Sequence, residues 1–338
     1  MPHTTRNRVL FFLLTAALVV LFGVNLSLGS VSIPMSSIID SVFGKEIKSS
    51  WEIILWNFRL PKAITALMVG MGLSLSGLLM QTLFRNPLAG PYVLGLSSGA
   101  SLGVAFIIMG GSILPAFLRS DYGIVLASAL GSFLVLMAVL VVSQKLRDTM
   151  AILIVGLMFG SFTSAIVSVL SYFSTAQELQ KFTFWSMGSL SHVSGSSLWI
   201  LSSCCLLGIL ISIFSIKPLN ALLLGENYAK TLGLNFNRTR MLIILATSIL
   251  AGGITAFVGP IAFIGLAVPH MAKLLFQTSN HYTLFWSTLL LGAITMLVCD
   301  SIAQVPGSDY TLPINAITSV VGAPIVVWLL VRKRKIMS

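Results

Sequence analysis

Apolar runs about twenty residues long recur along this chain, and nothing else limits its fold so tightly. Residues 9–28 carry no charged side chain, and a helix of about 20 such residues spans a bilayer's hydrocarbon core. Charged residues make up 9% of the sequence and hydrophobic ones 56%, where soluble domains carry about 25% charged residues. Water is therefore not the main solvent. The run at 9–28 follows Arg6 and Arg8 but lacks a small-residue cleavage site and is succeeded by more spans, so it reads as a first helix.

Ten spans are expected, near 9–29, 62–84, 92–113, 122–143, 150–173, 196–215, 239–258, 261–277, 283–304 and 312–331. The whole chain, 1–338, reads as a single membrane domain. An even count puts both termini on one side. With the N-terminus inside, Arg6, Arg8, Arg85, Lys145, Arg147, Lys217, Lys230, Arg238, Arg240, Lys273, Arg332, Lys333, Arg334 and Lys335 face the cytoplasm. Lys45, Lys48, Arg59, Lys62, Arg119 and Lys181 remain outside. This excess of inside cations follows the positive-inside rule, so both termini are expected in the cytoplasm of a multi-pass protein of the cytoplasmic membrane. The net charge of +11 reflects that retention and gives no reason to invoke nucleic acid. Outside, short helices are expected at 36–43 and 177–190, too small to form a receptor, so capture of a solute falls to another protein.

One polar island, 217–240, interrupts the apolar pattern on the cytoplasmic side. It holds a helix-like piece, 226–232, between Gly225 and Gly233. Such an element is either a connecting loop or a docking surface for a soluble partner. Elsewhere the polar residues are sparse. Cys204, Cys205 and Cys299 lie in apolar runs and form no metal or disulfide pattern. His270, without a second ligand at coordination spacing, reads as a packing or capping residue. Asp300 is the one acid well inside a span, and a structural hydrogen-bond role is expected rather than proton coupling. Met68, Met71 and Met80 read as packing. Small residues cluster at Gly70, Gly72, Ser74, Ser76 and Gly77, and again from Gly95 to Gly103, which permits close helix contact in lipid. A similar Gly and Pro pattern at Gly252, Gly253, Gly259, Pro260, Gly265 and Pro269 suggests an inverted repeat of spans two to five and seven to ten.

Several motifs, in order, resemble a known family. Arg59-Leu60-Pro61-Lys62, Asn86-Pro87-Leu88-Ala89-Gly90-Pro91, Leu94-Gly95, Gly99-Ala100, Gly225-Glu226, Leu232-Gly233, the run from Gly259 to Leu266, Pro269-His270 and Gly322-Ala323-Pro324 are similar to the FecCD-type permeases of ABC importers for iron-siderophore, haem and cobalamin. The resemblance implies an all-α, ten-helix, type II importer permease that dimerises as a homo- or heterodimer around a central pathway. It implies two partners, an ABC ATPase subunit that binds ATP and Mg, and an extracytoplasmic substrate-binding protein. No cofactor is implied in this chain. Residue by residue, Gly225, Glu226, Ala229, Leu232 and Gly233 match the family's ATPase-coupling helix within a coupling segment at about 217–238. Arg59 and Lys62 match a basic pair that docks the binding protein, although the position of a further basic residue is taken by Gln304, with Asp309 nearby. Thr149 and Met150 fall where cobalamin-importing members narrow a cytoplasmic gate, and Asp148 or Thr149 equally suits a helix N-cap.

The chain has no G-x-x-x-x-G-K-[ST] phosphate loop, since Gly44-Lys45 is followed by Glu46. The expectation is a transport subunit without its own ATPase site, carrying an iron-siderophore complex, with cobalamin or haem as alternatives. Ion-coupled transport is the competing reading. It calls for several intramembrane carboxylates or cations, and only Asp300 qualifies.

Overall fold

The computed structural model describes residues 3–110, 120–145, 149–305 and 310–337. Among them the chain is helical and has no strand. In order it forms α1 (His3–Ser27), α2 (Met35–Val42), α3 (Ser49–Ile54), α4 (Leu60–Leu83), α5 (Leu96–Met109), α6 (Asp121–Lys145), α7 (Thr149–Phe173), α8 (Ala176–Ser186), α9 (Gly195–Ile213), α10 (Ile216–Leu222), α11 (Glu226–Thr231), α12 (Phe236–Val258), α13 (Ile264–Phe276), α14 (His281–Ala303) and α15 (Ile314–Met337). Each of the ten expected spans coincides with one of these helices. Among the described residues seven helical stretches are long and apolar enough to cross a membrane, and α5, α13 and the first part of α15 are shorter apolar helices. The outer helices expected at 36–43 and 177–190 correspond to α2 and α8. Thr175 caps α8 through a reciprocal capping box with Glu178, which fixes its start in sequence.

One boundary differs from expectation. The Arg-Leu-Pro-Lys motif was read as the start of the second span, yet the helix is continuous from Ser49 to Leu83. Pro61 cannot donate a backbone hydrogen bond. A π-helical turn at Leu55–Arg59 immediately precedes it, the kind of local rewinding that lets a helix pass such a gap. Proline here shifts the winding and does not end the helix.

The core is built on α4, whose surface is nearly all buried, and on α12, α13 and α14 around it. Lipid supplies no hydrophobic drive between helices, so close backbone approach and dispersion hold them together. Glycine makes that approach possible. A Cβ placed on Gly77 would lie 1.7 Å from the Gly265 carbonyl oxygen, and one on Gly70 would lie 2.2 Å from that of Gly292. The same logic joins α5 to α6, where a Cβ on Gly131 would meet the Gly99 oxygen at 2.0 Å.

Two long helices are each followed by a break and a short helix. After α4, residues 84–95 unwind and re-form as a 3-10 turn at Pro91–Leu94 before α5. After α12, residues 259–263 are extended or left-handed before α13. α5 and α13 have 14 and 13 residues, so each is only about 20 Å long, and the chain must cover the remaining depth without helix. In the topology expected from sequence the two units run in opposite directions, as an inverted repeat requires.

Replacing Gly77 with Ala forces Gly265 away and should lower stability by about 1–3 kcal/mol. Gly252→Ala meets Ser132 only at an ordinary 3.4 Å and should change little. Melting of the two variants in detergent checks the pair. Equal melting would mean that the α4–α13 contact does not limit stability.

Candidate functional site

The polar island at 217–240 forms a compact block. α10 leads directly from α9, and Gly225, at φ 112, turns the chain into α11. The far end of α11 closes as a Schellman motif. Gly233 N donates to Lys230 O at 3.0 Å and Leu234 N to Ala229 O at 3.1 Å, with Gly233 at φ 83. A left-handed residue closes such a motif, and glycine is the usual one there because it has no Cβ to clash. Asn235 then caps α12 through Arg238 N at 3.1 Å. Lys230 and Arg240 both lie over the Phe236 ring. Arg85, at the end of α4, donates to the Leu222 carbonyl at 2.8 Å and holds α10 against the core.

The block has two faces. Ala229 is fully buried, whereas Leu223, Leu224, Tyr228 and Leu232 are each more than half exposed. Of the residues assigned to coupling, Ala229 thus seats the block, Leu232 faces outward, and Gly225 and Gly233 shape its ends. Glu226 opens α11, and its side chain lies outside the described residues. Thr149 and Met150 form the first turn of α7; their side chains, and all of Asp148, also lie outside them.

On the opposite side the two cations assigned to docking point inward. Arg59 is buried and donates to the carbonyls of Leu26 at 2.8 Å, Ser27 at 3.0 Å and Val31. It satisfies the orphan carbonyls at the end of α1 and the turn that follows. Gly29 makes room for it, since a Cβ there would lie 2.6 Å from Arg59 Nη2. Lys62 Nζ pairs with Asp300 Oδ1 at 3.0 Å. The other oxygen of Asp300 accepts from Asn25 Nδ2 at 2.9 Å and Gln304 Nε2 at 2.8 Å. Of the basic pair assigned to docking, Arg59 turns inward and caps a helix, and Lys62 closes a clasp between α1, α4 and α14. Asp300 takes the structural role expected of it. Gln304, in place of a further cation, belongs to the same clasp. Asp309 lies outside the described residues.

The two unwound segments meet between these layers. Tyr92, on the 3-10 turn, bonds through its hydroxyl to Thr255 Oγ1 at 3.2 Å and accepts from Ile261 N at 3.4 Å. Asn315 Oδ1 accepts from Ala262 N at 3.0 Å. His270 Nε2 lies 2.9 Å from the Pro87 carbonyl, in keeping with a packing role. Gln81 Nε2 donates to Leu266 O at 3.1 Å. Sequence reasoning missed Asn25, Tyr92 and Asn315. Asn25 and Asp300 were legible only as isolated polar residues in apolar runs, and nothing in the sequence pairs them.

The family model of the FecCD transport family matches residues 17–332. The vitamin B12 import system permease protein BtuC of Klebsiella pneumoniae is 34% identical over 331 residues, 97% of this chain and 95% of that one. The protein of the same name from Salmonella arizonae is 35% identical over 294 residues, 86% and 87% of the two chains. A solved inward-facing structure, assigned to the metal-chelate type of ABC transporter, superposes with a TM-score of 0.84 at 32% identity, covering 96% of this chain and 99% of that one. PsaBC from Streptococcus pneumoniae, in complex with Fab, gives 0.56 at 16% identity over 86% and 95%, a likeness of fold.

Asp300→Ala leaves the Lys62 ammonium buried without its partner, which should lower stability by about 3–5 kcal/mol. Adding Lys62→Met should restore part of the loss. Thermal melting in detergent reads both. A Lys62→Met variant that melts normally but binds an extracytoplasmic capture protein less tightly would return Lys62 to the docking surface.

Proposed function

The chain belongs to the FecCD transport family and is the membrane permease of an ABC importer, and we propose that its cargo is a cobalamin. The fold is that of a type II importer permease, all helical. The observation that carries the cargo assignment is similarity at 34% identity over almost the full length to a vitamin B12 permease. A cobalamin is itself a cobalt chelate, so this reading also suits the likeness to a metal-chelate transporter. An iron-siderophore complex, the cargo expected from sequence, has no named relative above to support it and takes second place.

In this reading the chain is one membrane domain, both termini lie in the cytoplasm, and two permease chains enclose the pathway. The chain has no ATPase site of its own. ATP and Mg sit on a separate subunit that seats against α11. The geometry of that element supports the assignment. A helix of six residues between two glycines of positive φ, closed at its far end by a Schellman motif, joined to an α10 that Arg85 anchors and flanked by exposed Leu223, Leu224, Tyr228 and Leu232, is too short to deform internally. It therefore transmits displacement. Residues 217–238 act as the lever, with Glu226 at its tip, and Thr149 and Met150 act at the cytoplasmic gate. Ion coupling is disfavoured because Asp300, the acid placed deep in α14, is paired with Lys62 and held by two amide donors.

Reconstituted with its ATPase and capture protein, the permease should take up labelled cyanocobalamin only with ATP on the cytoplasmic side, and uptake should survive collapse of ion gradients. Uptake without ATP or without an ATPase subunit would overturn the reading. An iron-siderophore complex stimulating hydrolysis where cyanocobalamin does not would replace the cargo alone. Glu226→Arg should abolish assembly with the ATPase while leaving the melting of the permease unchanged.

A further inference from the structure

At the cytoplasmic ends of α4, α10 and α14, three side chains form a chain of contacts that the coupling assignment does not use. Asn220, on α10, accepts through one oxygen from His281 N at 2.8 Å, and the His281 ring nitrogen Nδ1 lies 3.1 Å from the same atom. The other ring nitrogen, Nε2, lies 2.9 Å from Thr82 Oγ1 on α4. His281 is almost completely buried. An amide oxygen only accepts, so Nδ1 carries the proton, and in the neutral ring Nε2 is the acceptor facing the Thr82 hydroxyl, whose one proton is shared with the Leu78 carbonyl at 2.9 Å. The Asn220 oxygen also caps the first exposed N–H of α14, and its nitrogen reaches Asn280 Oδ1 at 3.4 Å. α10 continues into α11 through Gly225, and Arg85 fastens the end of α10 at Leu222.

We propose that Asn220, His281 and Thr82 are the joint through which movement of the α10–α11 lever reaches α4 and α14. The inference rests on the reading of α11 as the ATPase-contacting element. Three features carry it. The polar chain joins α10 to α14 and α4 together and not to α9, from which α10 descends. Thr82 and His281 are buried and Asn220 is partly buried, so water is kept from the His281–Thr82 contact. α4 and α14 are locked to each other at Gly70 and Gly292, so displacement received at Asn220 moves them as a unit. His281 is thus a positioning residue for transport.

The test uses the assembled importer carrying a spin label at Tyr282→Cys, an exposed position next to His281, in both permease copies. In the parent complex the label-to-label distance should change between the nucleotide-free and ATP–vanadate states. Thr82→Val is isosteric and leaves the lever untouched. It should retain assembly and ATP hydrolysis while the distance change shrinks and transport per ATP falls roughly threefold to tenfold. Asn220→Ala should act in the same sense, and Asn220→Asp, which keeps the accepting oxygen, should recover most of the change. Full distance change and unaltered transport per ATP in Thr82→Val would overturn the joint, as would the absence of any change in the parent. Loss of folding in both Thr82→Val and Asn220→Ala would assign the cluster to stability and overturn it equally. A parent complex that hydrolyses ATP and moves the label, but does not carry cyanocobalamin, would overturn the cargo and leave the joint standing.

Discussion

Backbone amides and carbonyls inside a membrane must find partners within the protein, since lipid offers none. That requirement governs this chain more than any side-chain preference. Where the helices are intact the demand is met locally. Where they break, at 84–95 and 259–263, side chains from elsewhere answer it. Tyr92 serves the Ile261 amide, Asn315 the Ala262 amide and His270 the Pro87 carbonyl. Arg59 does the same for the carbonyls that α1 leaves behind. Each tie crosses between helices far apart in sequence, so satisfying the backbone also fixes the tertiary arrangement.

The breaks impose a second requirement. A short helix preceded by extended chain is stable at depth only if it packs closely on a long one. Gly77 and Gly265 allow α4 and α13 to touch main chain to main chain, and Pro91 abuts Gly265 from the other unwound segment. The core is then stiff at its centre. Phe263, a residue with a Cβ held at φ 67, stands at the start of α13 and packs on Gly322 of α15. A conformation of that kind persists only where its surroundings over-determine it, and Asn315, in the first turn of α15, supplies the restraint by holding the preceding amide.

Much of this was legible from the residues alone. Apolar length located a helix at each of the ten expected spans, because it reflects a solvent that tolerates little else. α11 was legible through its two glycines, since only a left-handed turn at each end needs them there. The fate of Arg59 and Lys62 was not. A cation at a helix end has the same sequence signature whether it faces a partner or turns inward, and the choice depends on which carbonyls and carboxylates the fold brings near. Asp300 and Asn25 are 275 residues apart, and no periodicity links them. The Arg-Leu-Pro-Lys motif misled for a related reason. Proline reports a missing hydrogen bond, and a π turn can absorb it without ending the helix.

The two membrane faces solve opposite problems with similar residues. At one end of α4 and α14 a lysine, an aspartate and two amides are held together, and removing either charge leaves the other unpaired. Such a cluster resists rearrangement, because separating the ion pair in a poorly solvated site costs far more than it does in water. At the other ends of these helices the linkage runs through neutral groups, Asn220, His281 and Thr82, whose bonds are individually worth about 1 kcal/mol. Neutral bonds of that size are broken and remade within the energy available from nucleotide turnover. Helices α4 and α14 carry both kinds of linkage at opposite ends, so under the reading proposed above the charged end is the fixed point and the neutral end the one that yields.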